Sequence, residues 1–498
     1  MSAPDRVPNA TDIADMTLTD RVIVMPWKRF RRAAASGGIV LCLTAIVALI
    51  WANSPWASSY QTLFHELDLT IGFGTFAMSH HLAHWINDAL MGMFFLLVGM
   101  EIKREVLFGD LRDPRRAALP LAAAAGGMLI PAGVYLAINA PAAAAGVEHA
   151  IVRGWGVPMA TDIAFALGIL ALAGTRVPSV LRVFLCTLAI VDDLGALLVI
   201  AIFYTDHLNL EMLGWSAGVF AIMFAAARLR IREPRVYVFA GAVLLICLGQ
   251  SGVHPTIAGV LVATQIPASA RVDPRSFLRS ARAALDYFEH QTRNLRHGLD
   301  QPIMSHLSTA QIAAARSVGM SARHMRPPMQ RIEQHLQPWI TFGVLPLFAL
   351  ANAGVHLPAN PSELLFTAST IGIAAGLMIG KPVGIMLACW LLVKAGLGKL
   401  PTGVSWMQML GVSVLGGIGF TMAIFITNLA FPAAPVAVDG AKLAILAASA
   451  VSAAVGLTIL LSQPKTVGAK TVEEHEDEID LLIEPESEPA TPHTASAG

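Results

Sequence analysis

The sequence predicts an all-α polytopic membrane protein, and three observations carry that prediction. Hydrophobic residues make up 55% of the chain and charged residues only 14%, against roughly a quarter charged in soluble domains, so an aqueous fold could not hide the apolar surface. The apolar residues gather into twelve runs separated by polar breaks. Lysine and arginine are sorted between alternate breaks, as the positive-inside rule requires of a chain that crosses and recrosses a bilayer. The mean hydropathy of +0.61 agrees. The zero net charge, from 34 basic and 34 acidic residues, describes no partner, because the charges are partitioned by location.

Residues 1–36 form a polar cytoplasmic segment ending in Lys28, Arg29, Arg31 and Arg32. With Asp5, Asp12, Asp15 and Asp20 it is too long and too acidic for the leading part of a cleaved signal peptide. Residues 37–267 hold the first eight predicted spans: 37–52, 85–100, 117–138, 158–174, 180–203, 210–227, 236–250 and 253–266. Residues 268–337 form a basic cytoplasmic insertion with ten arginines from Arg271 to Arg331 against four acids. No apolar face is read in it, and it is expected to be partly disordered or interfacial; contact with anionic membrane lipid competes there with a merely solvated charge run. Residues 338–462 hold the last four spans, 339–355, 364–393, 406–430 and 441–461. The acidic tail 463–498, nine acids and two lysines among Pro, Ser and Thr, is expected to be disordered and cytoplasmic. Several spans fall short of the ~20 residues that a straight crossing needs, which points to misplaced ends or to helices that break inside the membrane.

With the amino terminus inside, the inner loops carry Lys103 to Arg116, Arg176, Arg228 to Arg235, the insertion's arginines, Lys394 with Lys399, and Lys465 with Lys470. The outer loops carry Arg153, with Lys442 at the start of the last span. Cys42, Cys186, Cys247 and Cys389 stand singly in apolar runs and read as buried packing residues, not as a disulfide framework or zinc site. His65, His80, His81 and His84 cluster in an outer segment without Lys or Arg, and read as surface histidines rather than zinc ligands.

Candidate chemistry sits where charge interrupts apolar chain. Asp192 and Asp193 lie midway along the run 180–203, where a carboxylate facing lipid costs a few kcal/mol or more, so they must face a cavity or a partner. Successive helical residues point about 100° apart: the two share a water-filled cavity only near its edge, or one faces ions while the other holds a charged helix. The fourth span carries Gly154, Gly156, Pro158, Thr161 and Asp162; the eleventh carries Gly411, Gly416, Gly417, Gly419 and Thr421. Both read as broken helices, at matching places in spans three to five and ten to twelve. That layout allows inverted-topology repeats around an ion site. Asp162 is placed to offset the half-helix amino ends, with Thr161 as a cap candidate. Lys381, deep in the run 364–393, offsets carboxyl ends or pairs with Asp192 or Asp193. A buried ion pair without ion traffic is the competing reading. Glu101 and Glu105 form an i,i+4 acid pair that repels unless water, cations or the neighbouring Lys103 and Arg104 screen it.

The motifs resemble the NhaA-type sodium/proton antiporters: SGGI at Ser36, WINDALMGMFFLLVGMEIKRE from Trp85, ATDIAFALG from Ala160, LAIVDDLGA from Leu188, SGVHPTIAGV from Ser251, PLFALANAGV from Pro346, GKPVGI from Gly380 and GGIGFTMAIFI from Gly416. The resemblance implies a bacterial inner-membrane transporter exchanging Na+ or Li+ for H+, electrogenic and regulated by pH. It makes Asp192 and Asp193 the cation- and proton-binding pair and the metal ligands for Na+ or Li+. It puts Thr161 and Asp162 in a crossing of the two broken helices and makes Lys381 the essential buried lysine. It places Asp88 in the outer pathway, Glu101, Glu105 and Glu333 in a cytoplasmic funnel tied to pH control, and His254 near the outer end of a span, where a satisfied core histidine is the alternative. No cofactor and no nucleic-acid partner are implied; membrane lipid and a homodimeric copy complete the expected partners. The chain departs from the family pattern in its long basic insertion, and in Gln334 and Gln337 where the pattern has histidines, with His335 displaced. Glutamine cannot titrate near neutral pH as histidine does.

A cation channel is disfavoured because the acids form one cluster rather than a ring of repeated ligands. An intramembrane hydrolase using paired aspartates is disfavoured because sequence neighbours on one helix diverge, and no HExxH, GxSxG or phosphate loop is present. The charge partition predicts a cytoplasmic readout for a reporter fused at Arg282 and a periplasmic one at Pro358. The reverse pair contradicts the topology.

Overall fold

The computed structural model describes residues 36–73, 76–146, 151–205, 208–229, 231, 233–269, 274–296, 309–325, 327–357, 365–432 and 434–464. The amino-terminal segment with its basic cluster, and the tail from residue 465, lie outside the described residues. The chain forms α1 (Ser36–Ala52), a bent continuation α2 (Ala57–Gln61), a two-stranded hairpin β1 (Asp68–Phe73) and β2 (Phe76–His81), and then α3 (Leu82–Phe108) and α4 (Pro114–Ala144). A short 3-10 helix, Val152–Met159, leads to α5 (Ile163–Leu172), and α6 (Ser179–Phe203), α7 (Leu210–Arg228), α8 (Pro234–Ser251) and α9 (Ile257–Gln265) follow. The insertion contains α10 (Pro274–Arg296) and α11 (Thr309–Met325). Next come α12 (Pro328–Trp339), running through a π turn into α13 (Leu345–Asn352), α14 (Ala368–Lys394), α15 (Trp406–Leu415), α16 (Phe420–Ala430) and α17 (Pro435–Leu461).

This is an all-α membrane architecture with one small hairpin, which pairs Asp68 with His81 through Phe73 with Phe76. Among the described residues eight helices are long and apolar enough to cross a bilayer, or ten if each of two bent pairs counts as one span. Two segments expected to cross fall outside that set for physical reasons. Helix α9 has only nine residues; it packs on α3, α7 and α8, and short or irregular backbone is tolerated at membrane depth only where protein covers it. Helix α12 is continuous with α13, but its first turns carry Gln330, Arg331, Glu333, Gln334 and His335, so the combined rod is too polar.

The insertion differs from its expected irregularity. Helix α10 has an amphipathic period: Phe277, Ala281, Ala284 and Phe288 are half-buried along one stripe, and α10 packs against α11. The arginines between those positions obscure the period in a linear reading. Of the cysteines only Cys389 is fully buried; Cys42, Cys186 and Cys247 are half-buried.

Close backbone packing joins α4 and α14. A Cβ added at Gly384 would meet the backbone carbonyl of Gly126, and one added at Gly126 would meet the Gly384 carbonyl and Ala388. Small residues let the two backbones approach, as helices in lipid require in the absence of a hydrophobic drive. Lys381 lies one turn from Gly384, so this contact sets its depth. Gly384→Val is expected to cost about 1–3 kcal/mol through overpacking. A lowered thermal midpoint in detergent checks this, and an unchanged midpoint contradicts the packing argument.

Candidate ion-binding site

Two interruptions of helical geometry meet at the centre of the bundle. The first is extended at Ala160–Asp162, between Val152–Met159 and α5. The second separates α15 from α16 at Gly416–Gly419, with a 46° bend. A bond from Asp162 N to the Ile418 carbonyl (2.7 Å) ties one to the other. Each interruption strands backbone donors and acceptors that require partners in a dry interior.

The buried charges supply them. Asp162, not Thr161, caps α5: its Oδ1 accepts from Phe165 N at 2.9 Å. Its Oδ2 accepts from Thr421 N at 3.2 Å and from the Thr421 hydroxyl at 2.6 Å, so one carboxylate serves the amino ends of both α5 and α16. At the opposite polarity, Lys381 Nζ donates to the carbonyl of Met159, the last residue of the first half-helix. It donates as well to Asp192 Oδ2 at 2.5 Å. The Thr161 hydroxyl lies 2.6 Å from Asp192 Oδ2 and 3.0 Å from the Gly416 carbonyl, one donor between two acceptors.

Asp193 is different. It is 1% exposed, and among the described residues neither carboxylate oxygen has a hydrogen-bond partner. Asp192 Oδ1 is likewise buried and unpartnered. Of the two arrangements open to adjacent aspartates, the structure has one acid holding a cation and the other left open. Three unpaired hard oxygens in a dry site suit a proton or a small hard cation.

Two cavities approach this centre from opposite ends of α3. One, of about 800 Å³, is lined by His84, Asn87, Asp88, Tyr204, His254, Phe425 and Asn428 among others. The other, of about 810 Å³, is lined by Glu101, Ile163, Ala164, Gln334, His335 and Gln337 among others. Asp88 and Glu101 are thirteen residues apart on one helix, roughly 20 Å at 1.5 Å per residue. The first cavity ends on Phe425, one turn beyond Thr421, whose ring packs against those of Phe95, Phe348 and His254. The second reaches the first turn of α5, beside Asp162.

The outlying acids are held in specific ways. Asp88 Oδ2 is 3.3 Å from His84 Nε2 and its Oδ1 is 3.9 Å from His254 Nε2. His254 also bonds through Nδ1 to the Thr256 hydroxyl at 2.8 Å, so it is a satisfied histidine that nonetheless faces Asp88. Glu333 is buried and pairs with Arg104, while its Oε2 has no partner. Glu105 closes the turn after α3, where its Oε1 accepts from Asp110 N at 3.0 Å and from Thr187 Oγ1 at 3.4 Å. Lys103 does not screen the acid pair. Its Nζ donates to the carbonyls of Ala263, Thr264 and Ile266 and so caps the carboxyl end of α9. Among the outer histidines, His81 pairs with Asp68 at 3.0 Å, and His80 stacks on His84 at 4.3 Å.

Sequence reasoning missed one polar network. Asn352 donates to Asn87 Oδ1 at 2.7 Å and accepts from Asn428 Nδ2 at 2.8 Å, linking α3, α13 and α16 beside the Asp88 cavity. A signal exists for it in the sequence: each asparagine interrupts apolar residues in its helix.

Lys381→Ala leaves Asp192 without its cation and the Met159 carbonyl without its donor, and is expected to destabilise by about 3–5 kcal/mol. Adding Asp192→Asn should recover a large part of that loss. Thermal unfolding of both variants in detergent tests it; equal losses in single and double variants contradict the pairing.

The chain matches the family described as Na+/H+ antiporter 1 over residues 28–460. It is 48% identical over 430 residues to the Na(+)/H(+) antiporter NhaA of Oleidesulfovibrio alaskensis, covering 86% of this chain and 92% of that one. It is 45% identical over 471 residues to Na(+)/H(+) antiporter NhaA 2 of Sorangium cellulosum, covering 92% and 94%. The NhaA protein of Koribacter versatilis is 42% identical over 447 residues, covering 90% and 93%. With interrupted helices meeting at a buried Asp–Lys–Asp cluster and identity of this extent, the chain belongs to the NhaA family of sodium/proton antiporters.

Proposed function

We propose that this chain exchanges cytoplasmic Na+, or Li+, for external H+ across the bacterial inner membrane. The observation that carries the reading is Asp193, a fully buried carboxylate with both oxygens open. A dehydrated sodium ion needs several oxygen ligands; Asp193 and the free Oδ1 of Asp192 on α6, with the Thr161 hydroxyl in the extended break before α5, supply them. A proton satisfies the same carboxylate when the ion leaves, so the two substrates compete. Sodium drawing on Asp192 weakens its bond to Lys381, and the proton count per cycle includes whichever of that pair gives one up. With two protons against one sodium, each cycle moves one net charge, and the membrane potential contributes roughly 2.3 kcal/mol per 100 mV. That is enough to hold more than a tenfold sodium gradient.

The chain crosses twelve times in this reading, with α9 and the α12–α13 rod as the crossings that length and polarity conceal, and both termini lie in the cytoplasm. The Glu101 cavity is then the cytoplasmic approach and the Asp88 cavity the external one. Alternating access consists of opening one while the aromatic and half-helix packing closes the other. Glu101, which lines the cytoplasmic cavity, and Glu333, paired with Arg104, form the pH-responsive part of the funnel. Glu105 contributes by fixing the turn after α3.

Asp193→Asn is expected to abolish sodium- and lithium-dependent proton movement in everted vesicles, read with a pH dye, while folded protein persists in the membrane. Retention of exchange within twofold of the parent would overturn the assignment. In the parent, sodium-driven current on a supported membrane is expected at each pH where exchange runs, and robust exchange without current would establish one-for-one antiport.

A further inference from the structure

The insertion and the acidic tail leave the bundle on the same face. Lys103, near the end of α3, caps the end of α9, where the insertion begins. Glu105, two residues on, is bonded to Thr187 in the first third of α6. Arg176, just before α6, donates to the carbonyl of Leu461, the last residue of α17, at 2.7 Å. Through α3 and α6, these bonds put the ends of α9 and α17 on the same side of the bundle. The insertion also returns to its root, because Met329 N donates to the Pro267 carbonyl at 3.3 Å. It is a closed excursion standing on the face at which α17 ends.

The two are complementary in chemistry. Helix α10 turns its half-buried stripe toward α11 and leaves a second face exposed, with Leu278 and Leu285 bracketing Arg282 and with Arg275 and Arg279 alongside. On α11 Arg316 and Ile312 are exposed. The exposed surface of the hairpin thus mixes guanidinium groups with bare aliphatic side chains. The tail carries the opposite pattern: Glu473, Glu474, Glu476, Asp477, Glu478 and Asp480 run into Ile479, Leu481, Leu482 and Ile483, followed by Glu484, Glu486 and Glu488. It also lies beyond the 28–460 family match.

We infer that the exposed face of the α10–α11 hairpin is the docking surface for the chain's own acidic segment, residues 472–488. Carboxylates pair with the arginines, which favour planar bidentate partners, and the Ile–Leu–Leu–Ile cluster covers the exposed leucines. Joining by the same chain makes the contact intramolecular, so weak pairs suffice at the high effective concentration that a short connection gives. The hairpin leads directly into α12, which lines the Glu101 cavity, so a docked tail bears on that segment.

The test uses the full-length chain in nanodiscs containing anionic lipid, with a photoreactive residue replacing Leu285. The expected result is capture of the chain's own tail peptide, shown to be intramolecular by mixing isotopically heavy and light protein. Yield should fall at least fivefold at 1 M salt, where the screening length is about 3 Å, and equally in an R279E/R282E/R316E variant. Reversing the six acids from Glu473 to Asp480 to lysine in that variant should restore it. Should the arginine variant fail to fold, changing the six acids to amides in the parent must give the same loss. Capture of lipid, of another copy's tail or of nothing, or a yield indifferent to charge reversal, overturns the inference.

Discussion

The structure depends on one constraint: four charged side chains stand where the bilayer supplies no water. Asp162 and Lys381 offset the exposed ends of interrupted helices, and Asp192 holds Lys381. A buried pair of this kind contributes little net stability, because desolvation roughly cancels attraction. Its consequence is geometric. Once Lys381 and Thr161 occupy Asp192 Oδ2, the neighbouring Asp193 is left without a hydrogen-bond partner among the described residues. An unsatisfied buried carboxylate is costly unless something else satisfies it, and a transported ion is such a partner.

The surrounding bundle keeps that cost local. The α4–α14 contact through Gly126 and Gly384 fixes the depth of Lys381. The bond between Asp162 N and Ile418 O makes the two interruptions one unit, so neither half-helix shifts alone. Two cavities stop on either side of this unit, at Phe425 and at Ile163–Ala164. A rigid central piece between two approaches is suited to rocking against the rest of the bundle, whereas a continuous pore would need no such piece.

Much of this is legible in the sequence, for a reason specific to membranes. Charge is so expensive in hydrocarbon that every acid or lysine in an apolar run announces a role, which is how Asp192, Asp193, Asp162 and Lys381 stand out. What pairs with what is less legible. Thr161 is drawn to Asp192 and the Gly416 carbonyl, leaving Asp162 to cap α5, and Lys103 serves the end of α9 rather than the acid pair beside it, because the partners of Thr161 and Lys103 come from chain distant in sequence. Neutral polar residues give weaker signals, and the Asn87–Asn352–Asn428 chain emerges only in three dimensions. The insertion defeats a linear reading because its apolar stripe is interleaved with arginine. The periodicity of Phe277, Ala281, Ala284 and Phe288 shows only when the helical spacing is imposed on it.

The central claim is that sodium and protons compete for the open carboxylate of Asp193. Sodium binding to the purified protein, measured by calorimetry across a series of pH values in buffers of different ionisation enthalpy, tests this without any assay of transport. If binding displaces one proton, the apparent sodium affinity falls roughly tenfold for each unit the pH drops through the acid range of the site, and more steeply for two, with matching proton release in the heat of buffering. Sodium affinity independent of pH, with no proton released, would contradict the account.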